Sequence, residues 1–145
     1  MKKIAIMFQV DDKELNEKLF QVINANEFKD SHITFYHCFE ELLYMFMPSA
    51  VLYPQDSERE KIQQKTENYI KETCIQYLQE FPLTWNTNFS FSPNPKKELA
   101  EKLEHNKYDL VICTTKEMQG MSKFFHSSFT DYIYKNVSSD LLIIK

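Results

Sequence analysis

The sequence predicts an α/β fold, a parallel sheet with helices on both of its faces. Two observations carry this. Apolar runs of strand character alternate with amphipathic stretches of helical period along all 145 residues, and such alternation builds a parallel sheet rather than a sandwich or bundle. The runs "IAIMF" (4 to 8) and "YDLVICTT" (108 to 115) also lack the in-out alternation of a strand with a wet side. They read as strands covered on both faces.

Each element follows in order. Ile4 to Phe8 forms the first strand. Leu15, Leu19, Phe20, Val22 and Ile23 then recur at helical spacing between Lys and Glu residues, an amphipathic helix. "HITFYHCF" (32 to 39) is β-branched and aromatic, hence a strand. "EREKIQQKTENYIKETCIQYLQEF" places Ile62, Thr66, Tyr69, Ile70, Thr73, Tyr77 and Leu78 on one stripe of a long helix. "LTWNTNFSF" (83 to 91) puts Leu83, Trp85, Thr87, Phe89 and Phe91 on one face, a strand with a wetter side that belongs at a sheet edge. In "SPNPKKELAEKLEHN", Asn94 is the expected N-cap and Pro95 suits the first turn. "YDLVICTT" follows as a buried strand, "SSFTDYIYKNV" as a helix and "SDLLIIK" as the last strand. Crossovers between such strands are right-handed. With neither a repeat nor a linker, residues 1–145 read as one domain.

Composition excludes several classes. A net charge of −4 without a block of like charge argues against nucleic acid, which selects a basic face, and against a polybasic membrane anchor. Cys38, Cys74 and Cys113 are odd in number and far apart, so neither a disulfide framework nor a zinc ribbon is expected and a reducing cytoplasm fits. "MKKIAIMFQVDD" is too short in its apolar part for a signal peptide, and no small-residue cleavage site follows. No stretch is apolar enough for a bilayer-spanning helix. "EELLYMFMPSAVLYPQDS" (40 to 57) breaks the rhythm, too long and apolar for a simple surface loop. It reads as a short helix with a packed flap, or as a hydrophobic surface for a protein partner.

Particular words extend the pattern. "KKIAIMFQVDD" is a short apolar strand running to an aspartate, "ITFYHCFE" carries His37–Cys38 near its end, and "SPNP" precedes the third helix. "YDLVICTTKEMQGMSKFFHSSFTDYIYKNVSSDLLIIK" gives a strand after Asp109, a loop, a hydroxyl-bearing helix start and a final strand. In these features, over nearly its whole length, the chain resembles the universal stress protein family. The resemblance implies a three-layer α/β/α fold with a five-stranded parallel sheet in the order 3-2-1-4-5, of the adenine nucleotide alpha hydrolase-like type. In that order the topological switch lies between the first and fourth strands, where open sheets bind ligands. Gln9 and the loop after Cys113 would border it. The resemblance also implies a homodimer through the last strand. Leu141, Leu142, Ile143 and Ile144 would form that edge, and an exposed apolar edge invites pairing.

The nucleotide-binding branch of that family has Gly-x2-Gly-x9-Gly-Ser/Thr in the loop after the fourth strand. Laid over this chain, the glycines fall on Thr114, Glu117 and Ser127, with Ser128 next. Gly120, the one glycine of the chain, matches a common extra glycine. The adenine-side aspartate falls on Gln9, with Asp11 as the alternative. Glycine lets backbone N–H groups approach a phosphate, whereas β-branched Thr114 resists a left-handed conformation. Glu117 adds negative charge; at roughly 4–6 Å from a phosphate in a partly buried site this costs on the order of kcal/mol. Ser127, Ser128 and Thr130 at a helix N-terminus would form an anion site, with Lys116 and Lys123 offsetting charge. Ser128 and Asp131 equally read as an ordinary capping box.

Other constellations are sparse. His37, Cys38 and Cys113 belong near strand ends, where a metal or redox thiol is conceivable. The two cysteines would stand roughly 9–10 Å apart across the first strand, beyond disulfide reach, so buried inert thiols are the plainer reading. His32, His105 and His126 show no ligand spacing, and no metal site is expected. Trp85, Phe89 and Phe91 could stack bases, but without a basic groove they read as core.

Three functions follow. The first is a cytoplasmic dimeric regulator or protein-binding module in stress response, with a degenerate ATP loop and no expected cofactor. The second binds ATP or another adenine nucleotide through Gln9, His37, Cys113, Thr114, Lys116, Gly120, Ser127, Ser128 and Thr130. The third is a hydrolase or redox enzyme using Cys113 or Cys38. The glycine losses favour the first over the second, and the lack of a catalytic constellation disfavours the third.

Overall fold

The computed structural model describes residues 1–8, 13–25, 30–40, 56–78, 84–114 and 122–145; for residues 24, 25, 40, 56–58, 74, 75, 77, 78 and 122–128 it describes the backbone alone. The elements run β1 (Lys2–Met7), α1 (Lys13–Ala25), β2 (Ser31–Glu40), α2 (Asp56–Leu78), β3 (Thr84–Ser92), α3 (Pro95–Asn106), β4 (Leu110–Thr114), α4 (Ser122–Asn136) and β5 (Asp140–Ile144). The five strands form one sheet in the order β3-β2-β1-β4-β5, and every pairing is parallel.

The uninterrupted apolar character of β1 is explained by its place. It lies at the centre, with Met7 opposite both Tyr36 of β2 and Cys113 of β4. Side chains alternate between the faces, so each face collects its own core. Ile4, Ile6, Phe8, Ile33, Phe35 and Ile112 pack with Leu19, Phe20 and Ile23 of α1 and Ile70 of α2. Ala5, Met7, Tyr36, Val111 and Cys113 pack with Leu99, Ala100 and Leu103 of α3 and Ile133 of α4. Phe35 anchors the first core, meeting Phe8 and Trp85 edge-on at 5.8 and 6.1 Å between centroids. Each such fully buried apolar side chain contributes roughly 1.5–3 kcal/mol.

The edge strand β3 is wet on one side, as its alternation predicts. Asn86 accepts hydrogen bonds from Thr34 Oγ1 (2.8 Å) and lies 3.0 Å from His32 Nε2. Asn88 takes a hydrogen bond from Lys102 of α3 at 3.3 Å. Trp85 and Phe89 pack against the first core, which places them as core rather than as a base-stacking face.

Helix α3 starts where its cap predicts. Asn94 Oδ1 accepts from Lys97 N at 3.4 Å, and Pro95 opens the first turn. Helix α4 corrects an expectation. It begins at Ser122, so Ser127, Ser128 and Thr130 lie inside the helix and not at its N-terminus. "SKFFH" contains no breaker, and the helix extends back through it. Asp131, expected in a capping box with Ser128, pairs instead with Lys135 one turn later at 2.9 Å. Of the segment 40 to 57, Glu40 ends β2 and Asp56 opens α2; residues 41–55 lie outside the described residues.

Candidate functional site

A cleft of about 360 Å³ opens at the carboxyl ends of β1 and β2. Small-molecule sites run to roughly 300–1,000 Å³, so this one suits a compact ligand. Its floor is Met7 and Phe8 from β1 and the residue after it, with Tyr36, His37 and Cys38 from β2. One wall is the start of α3 from Pro93 to Lys96 together with Leu99; Phe129 of α4 closes the other. Local chemistry puts each group there. Extended β2 turns Tyr36 and Cys38 to the α3 side, Asn94 and Pro95 set the direction of α3, and Phe129 packs beside the second core.

The floor is held rigidly. Phe8 N donates to Tyr36 O at 2.9 Å, and His37 Nδ1 lies 3.0 Å from Phe8 O. The His37 ring meets Phe39 edge-on at 4.4 Å; Phe39 stacks on Phe91 at 4.9 Å, under the guanidinium of Arg59 at 4.9 Å. Tyr36 turns its hydroxyl away from the opening, 2.8 Å from that of Tyr108 and accepting from Asn106 Nδ2 at 3.1 Å. Burial, then the Tyr108 contact, raises the Tyr36 phenol above its usual range, so Tyr36 is a neutral wall and not a base.

The charged groups that line the cleft are basic or titratable to a cation. Lys96 lines its wall, His37 lines its floor with the ring tied to Phe8 O and turned to the Phe35 side of the sheet, and among the described residues no carboxylate lines it. Glu98, one turn into α3, is engaged elsewhere. Burial opposes its ionisation, yet Lys102 and Ser92 hold its carboxyl below the usual glutamate range, with Lys102 Nζ at 3.0 Å.

The residues singled out from sequence do not all converge here. His37 and Cys38 line the cleft, while Cys113 and Thr114 are not among its described walls. Cys113 lies fully buried beside Met7, and burial pushes its thiol up to about 12. That is the reverse of an activated nucleophile. Thr114 belongs to the opposite face, opposite Ile144. Its buried hydroxyl finds no hydrogen-bond partner among the described residues. Thr130 is buried in α4. Gln9, Lys116 and Gly120 lie outside the described residues, as do the side chains of Ser127 and Ser128. Among the described residues, no group of three His, Cys, Asp or Glu side chains is placed to hold a metal ion.

Lys96 and Phe129 were not legible as site residues. The available signal was positional. Lys96 precedes Leu99, Ala100 and Leu103 by three, four and seven residues, which places a lysine on the buried stripe of α3.

Fold and cleft together define a doubly wound α/β protein with a ligand-sized opening at the carboxyl ends of its strands. The chain belongs to the universal stress protein family, whose model matches residues 5–145. Solved structures share the fold at low identity. A hypothetical protein, MJ0577, superposes with a TM-score of 0.70 at 17% identity, over 99% of this chain and 95% of that one. The universal stress protein of Archaeoglobus fulgidus in complex with dAMP gives 0.59 at 7% identity, over 100% and 98%. A universal stress protein in complex with cAMP gives 0.54 at 14% identity, over 99% and 96%. No curated protein matches the chain. Among the described residues, no helix is long and apolar enough to cross a membrane.

Proposed function

We propose that the protein is a cytoplasmic stress-response regulator that responds to a compact adenine nucleotide held in the β1–β2 cleft, and that it does not hydrolyse ATP. The observation that carries this reading is the cleft itself, ligand-sized and largely apolar in its floor, with Lys96 at its wall. Complexes of related folds with dAMP and cAMP agree with it. The loop after β4 supports the limit on ligand size. Thr114, Glu117 and Ser127 stand where glycines would cradle a triphosphate. A reducing compartment fits the reduced thiols of Cys38 and Cys113.

Calorimetric titration tests this, paired with mass spectrometry of freshly purified protein for retained nucleotide. AMP is expected to bind at micromolar affinity, ATP with magnesium more weakly, and no phosphate to be released. No binding of either nucleotide up to millimolar concentration would overturn it.

The same reading makes the protein a homodimer through β5. Ile143 is 43% exposed and Tyr134 71% exposed; both line a groove of about 500 Å³ beside Leu141. Strand β5 pairs only with β4 among the described strands, which leaves an apolar edge for a second copy. Sedimentation should give a dimer that Ile143→Lys converts to monomer. A monomeric wild type at tens of micromolar would refute the assembly. Residues 40–57, by their composition, are where we propose that a protein partner binds.

A further inference from the structure

We propose that Lys96, and not the loop after β4, holds the phosphate of a nucleoside monophosphate in the β1–β2 cleft. This rests on the reading of that cleft as a nucleotide site and goes further, naming the anion's position and the ligand's size.

Four observations converge. Lys96 lines the cleft from the first turn of α3. Its position, three, four and seven residues before Leu99, Ala100 and Leu103, points its aliphatic stem along the apolar wall. On that turn of α3, Glu98 is engaged and Lys97 is exposed and off the cleft wall. Lys102 holds Glu98 at 3.0 Å, whereas Lys96 has no ion pair or hydrogen bond among the described residues. No carboxylate lines the cleft among the described residues, so an anion entering it meets a cation without displacing a partner.

The cleft and Thr114 lie on opposite faces of the sheet. Thr114, the last residue before that loop, stands on the α1–α2 face of the sheet, in line with Ile112 and opposite Ile144. The cleft opens on the α3–α4 face, where Leu99 and Phe129 close it.

The test compares AMP and adenosine by calorimetry on wild type, Lys96→Ala, Lys97→Ala and Lys116→Ala, each checked for fold by circular dichroism. AMP should bind wild type about tenfold more tightly than adenosine, as a charge-assisted contact predicts, and lose that advantage as salt rises. Lys96→Ala should remove the difference and leave adenosine within about twofold of wild type. Lys97→Ala and Lys116→Ala should change neither ligand. Equal wild-type affinity for AMP and adenosine would overturn the proposal while the cleft reading stands. So would loss of the AMP advantage in Lys116→Ala, or equal loss of both ligands in Lys96→Ala. Leu99→Trp fills the cleft; if it leaves AMP binding intact, the cleft reading itself fails and the proposal with it.

Discussion

The imidazole of His37 is tied to the backbone of Phe8, with Nδ1 at 3.0 Å from the carbonyl oxygen. A carbonyl only accepts, so Nδ1 carries the proton, and in the neutral ring Nε2 is left as an acceptor. This contact joins the ends of the two strands that floor the cleft. Long-range nitrogen–proton NMR at pH 8 should show the Nδ1–H tautomer for His37. A spectrum of the Nε2–H form would contradict the assigned bond. Replacing His37 by Ala should lower stability by about 1–3 kcal/mol, because the carbonyl loses its donor. Urea denaturation measures the loss.

Lys107 closes α3 with φ 49°, and among the described residues it alone has a positive φ without being glycine. Its N–H still donates to Leu103 O at 3.1 Å. A side chain there costs about 1–2 kcal/mol that glycine avoids, partly offset by the greater freedom of glycine in the unfolded chain. Lys107→Gly should therefore stabilise by about 0.5–1 kcal/mol and raise Tm by about 1–4 °C. A fall in Tm would show that the cap tolerates the lysine without strain.

Cys113 should be silent to thiol reagents in the native state. It is fully buried, and its pKa is pushed up to about 12. Peptide mapping after alkylation at pH 8 should find Cys113 unlabelled until denaturant unfolds the chain. The linkage has a definite sign. The folded thiol keeps its proton where an unfolded one, near pH 8.5, loses it. That contribution to stability is complete below about pH 8.5 and declines as pH rises toward the folded value. Native-state labelling of Cys113 faster than global unfolding would sink this expectation and reopen thiol chemistry.

Two glutamates on α3 set an acid limb. Glu104 accepts from Ser138 N at 2.9 Å and from Ser138 Oγ at 2.9 Å, and these bonds lower its carboxyl. Glu98 is lowered as well, the neighbouring Lys102 and Ser92 outweighing burial. Both are depressed in the fold, so their contribution is present above the ordinary glutamate value of about 4.3. It is lost as pH falls through the lower folded values. Glu98→Gln with Glu104→Gln should flatten the decline in stability between about pH 5 and pH 3. A double variant with the wild-type slope would assign the acid limb to other carboxylates.

Much of the architecture was legible along the chain. The covered strands at Ile4–Phe8 and Leu110–Thr114, the half-wet edge at Thr84–Ser92 and the cap at Asn94 follow from periodicity and local hydrogen-bonding chemistry, which act between near neighbours. Strand order did not follow from period alone, and the family resemblance supplied it. The start of α4 was misplaced because serines at 127 and 128 have the chemistry of a cap, while the preceding five residues carry no breaking signal to set a boundary.

The sequence by itself determined the layers and the order of elements, since composition and spacing are properties of the chain. Only the tertiary structure decided which residues surround the cleft. It brought Lys96 and Leu99 of α3, Phe129 of α4 and Tyr36 of β2 around one opening, and set Thr114 on the opposite face. Residues so far apart in the chain meet only through the packing of helices on a twisted sheet. That packing is set by the sum of two buried cores and not by any local word in the sequence.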